Sequence, residues 1–97
     1  MDAKKCAKML WRYLVDAFEP EEVDDAFNDC DGILEYAPND IDDKLIDSMS
    51  DDEARSFLFD INYIAVNGLF GGDFGTWYDV LIYSLEFDED TLDFLNY

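Results

Sequence analysis

Beyond Arg12 this chain carries only two basic side chains, Lys44 and Arg55, and beyond Arg55 it carries none. Acids continue through Asp60, Asp73, Asp79, Glu86, Asp88, Glu89, Asp90 and Asp93. In all, 25 Asp and Glu stand against 6 Lys and Arg over 97 residues, for a formal net charge of -19. Self-repulsion on that scale opposes compaction, so any fold must hold its acids outside and draw its cohesion from apolar contacts. The means are present: hydrophobic residues make up 49% and aromatics 16%, too much apolar material for a disordered acidic tail. The length predicts one domain over 1–97, because a second core would fall below the size that sustains itself. No apolar run approaches the roughly 18 residues that cross a bilayer. Lys4, Lys5 and Lys8 are followed by Trp11, Arg12 and Asp16 rather than by the apolar block of a signal peptide. The expectation is a cytoplasmic protein with no membrane contact.

Missing residues narrow the chemistry. With no histidine, the usual general base and the commonest transition-metal ligand are gone. Cys6 and Cys30 form no CxxC or Cys/His cluster, so a structural zinc site is not expected. A disulfide between them is open, but two thiols in a reducing cytoplasm is the plainer reading. Gly68, Gly71, Gly72 and Gly75 cluster without a following Lys, and Asp73 and Asp79 would repel a phosphate. Asp29-Cys30-Asp31-Gly32 looks like the middle of a calcium loop, yet the register that puts Gly32 sixth puts Phe27 first and Pro38 twelfth, where the loop needs acids. Paired carboxylates can cleave glycosides, but among so many acids any chosen pair is arbitrary. No enzyme, cofactor or metal is expected.

Periodicity points to helices. Over 3–18, Cys6, Met9, Leu10, Tyr13, Leu14, Ala17 and Phe18 recur at three- and four-residue intervals as a buried face, with Lys4, Lys5, Lys8 and Arg12 on the other side. Pro20 suits the first turn of a second helix, with Glu21 and Glu22 favoured there by the dipole. Val23, Ala26, Phe27 and Cys30 form its apolar stripe, and Asp31-Gly32 stops it. Residues 33–38 read as a connector or a brief extended piece that ends at Pro38. Asn39 or Asp40 is expected to cap a third helix through Met49 that turns Ile41, Leu45 and Met49 inward. Ser50 and Glu53 make a capping box for the strongest helix, with Ala54, Phe57, Leu58, Ile61, Ile64 and Ala65 as its core stripe and Asn67-Gly68 as its close. In the 68–75 loop, Leu69, Phe70 and Phe74 are expected to tuck back. Residues 76–87 carry both helical spacing (Trp77, Leu81, Leu85) and strand-prone residues, and helix is the favoured reading. Asp88, Glu89 or Asp90 should cap a last helix burying Leu92 and Leu95. The predicted fold is all-α, or predominantly so, with five or six short helices.

The charge has a recognisable magnitude. Duplex DNA carries one negative charge per about 1.7 Å of axis, so 19 charges match roughly 32 Å of duplex. A compact chain of this length has a diameter of roughly 32 Å. Helical spacing aligns the acids further: Glu21, Asp25 and Asp29 sit four apart with Glu22 beside them, Asp40, Asp43 and Asp47 repeat the pattern, and Asp51 and Asp52 continue it. These carboxylates form a candidate surface that imitates a phosphate backbone and occupies the basic groove of a nucleic-acid-binding protein. The partner is then a basic protein, with no direct contact to nucleic acid. Tyr36, Tyr78 or Tyr97 at the rim would add contacts with Arg. The basic patch at Lys4, Lys5, Lys8 and Arg12 either complements acids elsewhere in the fold, marks the face turned from the partner, or pairs with a second copy. A monomer and a homodimer are both open. A generic solvated acidic face is the plain alternative. Excess Asp over Glu with few Lys also fits a halophilic chain, whose fold would need the salt that weakens a mimic's binding.

In size, charge and helix content the chain resembles the small acidic DNA-mimicking inhibitors of phages and mobile elements, the anti-restriction and anti-CRISPR proteins. That resemblance implies a target such as a Cas complex or a restriction enzyme in a host cell, and it carries over no residue roles. A second resemblance is local. Phe70-Gly71-Gly72-Asp73-Phe74 leading to Trp77-Tyr78-Asp79-Val80-Leu81 is similar to the inhibitory loop and helix of the barstar family of ribonuclease inhibitors. It implies an immunity protein that neutralises a nuclease toxin, with Asp79 and Asp73 as compact contacts. Asp79 matches the second aspartate of that family's pair, and Gly75 stands where the first should be.

Overall fold

A computed structural model describes residues 1–97. The chain is all-α, as the periodicity predicts. Six helices follow one another: α1 (Ala3–Ala17), α2 (Pro20–Asp29), α3 (Asp43–Asp47), α4 (Asp51–Ile64), α5 (Phe74–Asp79) and α6 (Glu89–Phe94). A 3-10 turn at Pro38–Asp40 precedes α3, and wide π-type turns at Ala65–Leu69 and Val80–Ser84 extend α4 and α5. Residues 76–84 are therefore helix and π-turn and 85–87 lie in the loop that follows, without a strand. No helix is long and apolar enough to cross a membrane.

Local chemistry sets the helix starts. The side chains of Asp2, Asp42, Ser50, Asp73 and Asp88 each accept the backbone N–H three residues on, at 2.8–3.1 Å, satisfying donors that a helix start leaves free. Acids are the favoured caps because the helix dipole is positive there. Ser50 and Glu53 form the expected reciprocal box, with Glu53 Oε1 accepting from the Ser50 N–H at 3.2 Å. Four aspartates, with Glu53 in the box, thus serve helix initiation.

The core is one cluster of 20 buried residues centred on α1 packed against α4, with Trp77, Leu81 and Leu85 closing it from the α5 side. Trp77 is fully buried. Its Nε1–H donates to Asn62 Oδ1 at 2.7 Å, and Asn62 Nδ2 donates to the Tyr97 hydroxyl at 3.2 Å. This chain pays the desolvation cost of the two polar groups that α4 and α5 bring inside. Around Trp77 lie Phe70 at 5.0 Å and Tyr13 at 6.3 Å between ring centroids, with Phe18 on Phe70 at 5.6 Å.

Several expectations are corrected. On α1, Ala7 and Trp11 belong to the buried face and Ala17 is exposed, because Trp11 turns inward to donate its Nε1–H to the Ile41 carbonyl at 3.1 Å. The third helix is a single turn capped by Asp42, not by Asn39 or Asp40, and it buries Ile46, with Leu45 only partly covered. Asp42 displaces the earlier candidates because Pro38 starts a separate 3-10 turn that consumes Asn39 and Asp40. Asn67-Gly68 does not end α4; the chain continues through the π-turn, and the Phe70 N–H reaches the Ala65 carbonyl at 2.9 Å. Phe74 is 56% exposed rather than tucked in, since it begins α5 on the solvent side while Trp77 takes the buried place.

Candidate functional site

The acids of α2 form one exposed face of that helix. Glu21, Glu22, Asp24, Asp25 and Asp29 are all exposed, and Val23 and Ala26 are buried beneath them. At 100° per residue these five carboxylates occupy an arc of about 160°, the apolar residues taking the remainder. The ten residues of α2 span about 15 Å, so the helix bears one carboxylate per about 3 Å, against 3.4 Å per charge along one strand of DNA. None of the five has a cation within salt-bridge distance. Glu22 also accepts the Glu19 N–H at 3.1 Å, which holds that carboxylate at the helix start.

Beyond the C-terminal end of α2 the chain turns at Gly32, whose φ of 84° is in the left-handed region, and runs alongside α4. Between the 32–36 connector and α4 lies a groove of about 610 Å³. Glu35, Asp52, Glu53 and Asp60 line it, together with Ile33, Leu34, Tyr36, Met49 and Phe57. Asp52, Ser56 and Asp60 sit four apart along α4, in one line for about 12 Å. Asp60 is partly buried without a hydrogen bond or cation, and burial raises its pKa above the ordinary carboxylate value. Partial burial and then the fields of Glu35 and Glu53 raise the Tyr36 hydroxyl likewise. Burial is the sole cause at Asp60 and the first at Tyr36, and only at Tyr36 does the negative field of neighbouring carboxylates add to it. No three Cys, Asp or Glu side chains converge closely enough to hold a metal ion.

The predicted site residues divide accordingly. Glu21, Glu22, Asp25 and Asp29 share the α2 face, while Asp51 and Asp52 are exposed in the first turn of α4, where Asp52 enters the groove. Asp40 lies in the 3-10 turn and does not share a helix face with Asp43 and Asp47. Those two are not uncompensated: α3 packs antiparallel to α1, so the four-residue step Asp43–Asp47 meets the four-residue step Lys8–Arg12. Asp47 pairs with Lys8 and Asp43 with Arg12, and Lys4 Nζ donates to the Asp47 carbonyl at 3.2 Å. The basic patch therefore complements the fold's own acids. Asp73 caps α5, accepting from the Thr76 N–H at 3.1 Å and the Thr76 hydroxyl at 2.7 Å, which lower its pKa. Asp79 is exposed at the last turn of α5. Glu35, Glu53 and Asp60 are groove residues that sequence reasoning missed, since Glu53 reads as a cap and nothing local sets Glu35 beside α4.

The two thiols are free. Cys6 is partly buried with Sγ 3.8 Å from the Thr91 hydroxyl, and burial raises both thiol pKa values. Compared with known proteins, the chain matches no protein-family model, no curated sequence and no solved structure.

Proposed function

We propose that the protein is a nucleic-acid-mimicking inhibitor: its α2 face and the adjoining acidic groove occupy the basic channel of a nucleic-acid-binding protein and exclude the natural ligand. The observation that carries this reading is the α2 face, where five exposed, unpaired carboxylates recur at the linear charge density of one nucleic-acid strand. Averaged over the whole molecule the charge is thinner. A surface of 5652 Å² shared by 19 net charges gives about 300 Å² per charge, whereas a duplex about 20 Å across offers roughly 110 Å² per charge. Concentration on α2 and the groove is what brings the density up to that of the ligand. The driving force is release of the counterions gathered by this chain's own carboxylates, as DNA releases those on its phosphates, with the partner supplying Lys and Arg. The partner class is a Cas complex, a restriction enzyme or another nuclease, each of which tracks phosphates with Lys and Arg.

The immunity-protein reading draws less support. Asp73 is committed to its own helix cap, which leaves Asp79 alone of the proposed pair.

The test is competition with duplex DNA on a restriction endonuclease, a CRISPR effector complex and a non-specific nuclease, over a salt series. Inhibition should be competitive with DNA for at least one of them. The variant Glu21→Gln/Asp25→Asn/Asp29→Asn should weaken binding and flatten the log-affinity against log-salt slope, because fewer counterions are then released. Asp43→Asn/Asp47→Asn should change it little, because those carboxylates already hold Arg12 and Lys8. Non-competitive behaviour throughout, or full potency of the α2 variant, would sink the proposal.

A further inference from the structure

The acidic line along α4 ends in an aromatic hollow. Past Asp60, Phe59 and Tyr63 on α4 and Phe74 on α5 border a cavity of about 260 Å³, with Tyr97 and Asn67 among its other lining residues and no charged side chain in its wall. These three aromatics are 37%, 46% and 56% exposed, an unusual outlay of ring surface for a chain of 97 residues. A shallower hollow lined by Asp52, Asp60, Phe59 and Arg55 shares residues with both this cavity and the acidic groove, so carboxylates, one guanidinium and rings adjoin there. The chain's own Arg55 already shows the chemistry at this border. Its guanidinium lies 6.0 Å from the centre of the Phe94 ring, and Phe94 packs edge-on to Phe59 at 6.2 Å. Asn67 spends its amide N–H on the Tyr63 carbonyl at 3.0 Å, leaving its Oδ1 as a free acceptor beside the hollow.

We propose that this hollow is an arginine cradle, in which the rings of Phe59, Tyr63 and Phe74 receive guanidinium groups from the same basic partner that the acidic surface attracts. The inference rests on the mimicry reading and adds selectivity to it: carboxylates alone attract any cation, whereas aromatic faces prefer the planar, weakly hydrated guanidinium to an ammonium. Charge decides the occupant. A second copy would bring another -19 to this rim, and an uncharged apolar segment would leave the acidic field unanswered. An arginine-bearing segment satisfies rings, acceptor and field together.

The probes are nona-arginine and nona-lysine, which carry equal charge, titrated against the full chain between low and moderate salt. The wild-type protein should bind nona-arginine more tightly. Replacing Phe59, Tyr63 and Phe74 by Leu should shrink that preference by about three- to tenfold while leaving the salt slope unchanged. Because all three are exposed the variant should fold, and the single changes Tyr63→Leu and Phe74→Leu should each move the ratio in the same direction. An arginine-to-lysine ratio unaltered by these substitutions would overturn the cradle and leave the mimicry reading standing. Absence of salt-dependent binding to either peptide would overturn both.

Discussion

Gly68 offers the sharpest test of how the acidic helix is held. It lies in the π-turn after α4 with an ordinary φ, unlike Gly32, Gly71 and Gly72, so the only demand for glycine is proximity. A Cβ added there would sit 2.8 Å from Ala26 Cβ, 3.1 Å from Ala26 Cα and 3.2 Å from the Ala26 carbonyl oxygen on α2. Carbon atoms rest at roughly 3.5–4.0 Å, so Gly68→Ala forces α2 outward by about 1 Å or unwinds the turn. Such overpacking costs about 1–3 kcal/mol, offset by about 0.4–1 kcal/mol from the stiffer unfolded chain. The net loss of about 1–2 kcal/mol corresponds to a fall in Tm of about 5–15 °C for a domain of this size. Thermal melts followed by far-ultraviolet circular dichroism read it directly. Ala26→Gly weakens α2 by itself, yet the double variant should be more stable than the sum of the single losses by about 1 kcal/mol, because it removes the tightest contact. A Tm for Gly68→Ala within about 2 °C of the parent, or strict additivity in the double variant, would refute the close-approach account of how α2 is docked.

Other outcomes follow from single contacts. Asn62→Leu leaves the buried Trp77 N–H without its 2.7 Å acceptor and should cost about 1–3 kcal/mol, read by denaturant melts together with tryptophan fluorescence; an unchanged midpoint would show that the N–H finds another partner. Glu86 holds a left-handed φ of 55° where the Phe87 N–H reaches back to the Leu81 carbonyl at 3.0 Å, so Glu86→Gly should stabilise by about 1 kcal/mol. Glu86→Gln, which removes only the charge, should give clearly less, and equal gains would locate the effect in electrostatics. For pH the signs oppose. Asp60 has a raised pKa, so the folded chain holds that proton more tightly than the unfolded one, and acidification through the folded value adds stability. Asp73 and Asp88 have pKa values lowered by their bonds to Thr76 and Thr91; their contribution is present above the unfolded carboxylate value and is lost as pH falls through the folded one. Relief of self-repulsion adds to the first effect. Tm should rise as pH falls from neutrality toward the ordinary carboxylate range of about 4 and fall again below it, and a steady decline from neutrality would contradict this.

By itself the sequence determined α1, α2 and α4 and where they start, while the cap and length of α3 were misplaced. Periodicities of three and four separate apolar from acidic residues along α1, α2 and α4, and caps such as Ser50 with Glu53 act within four residues, so no distant partner is needed to read them. It determined equally that α2 would present its acids together, since one helix fixes which residues share a face. Only the tertiary structure decided which of those acids remain free. Asp43 and Asp47 look identical in spacing to Asp25 and Asp29, yet α3 packs antiparallel to α1 and meets Lys8 and Arg12. The groove of Glu35, Asp52, Glu53 and Asp60 and the ring of Phe59, Tyr63 and Phe74 likewise join residues from separate elements. Face and cap are consequences of local backbone geometry, whereas charge compensation and concavity depend on which helices touch, and that is settled by how the whole core packs.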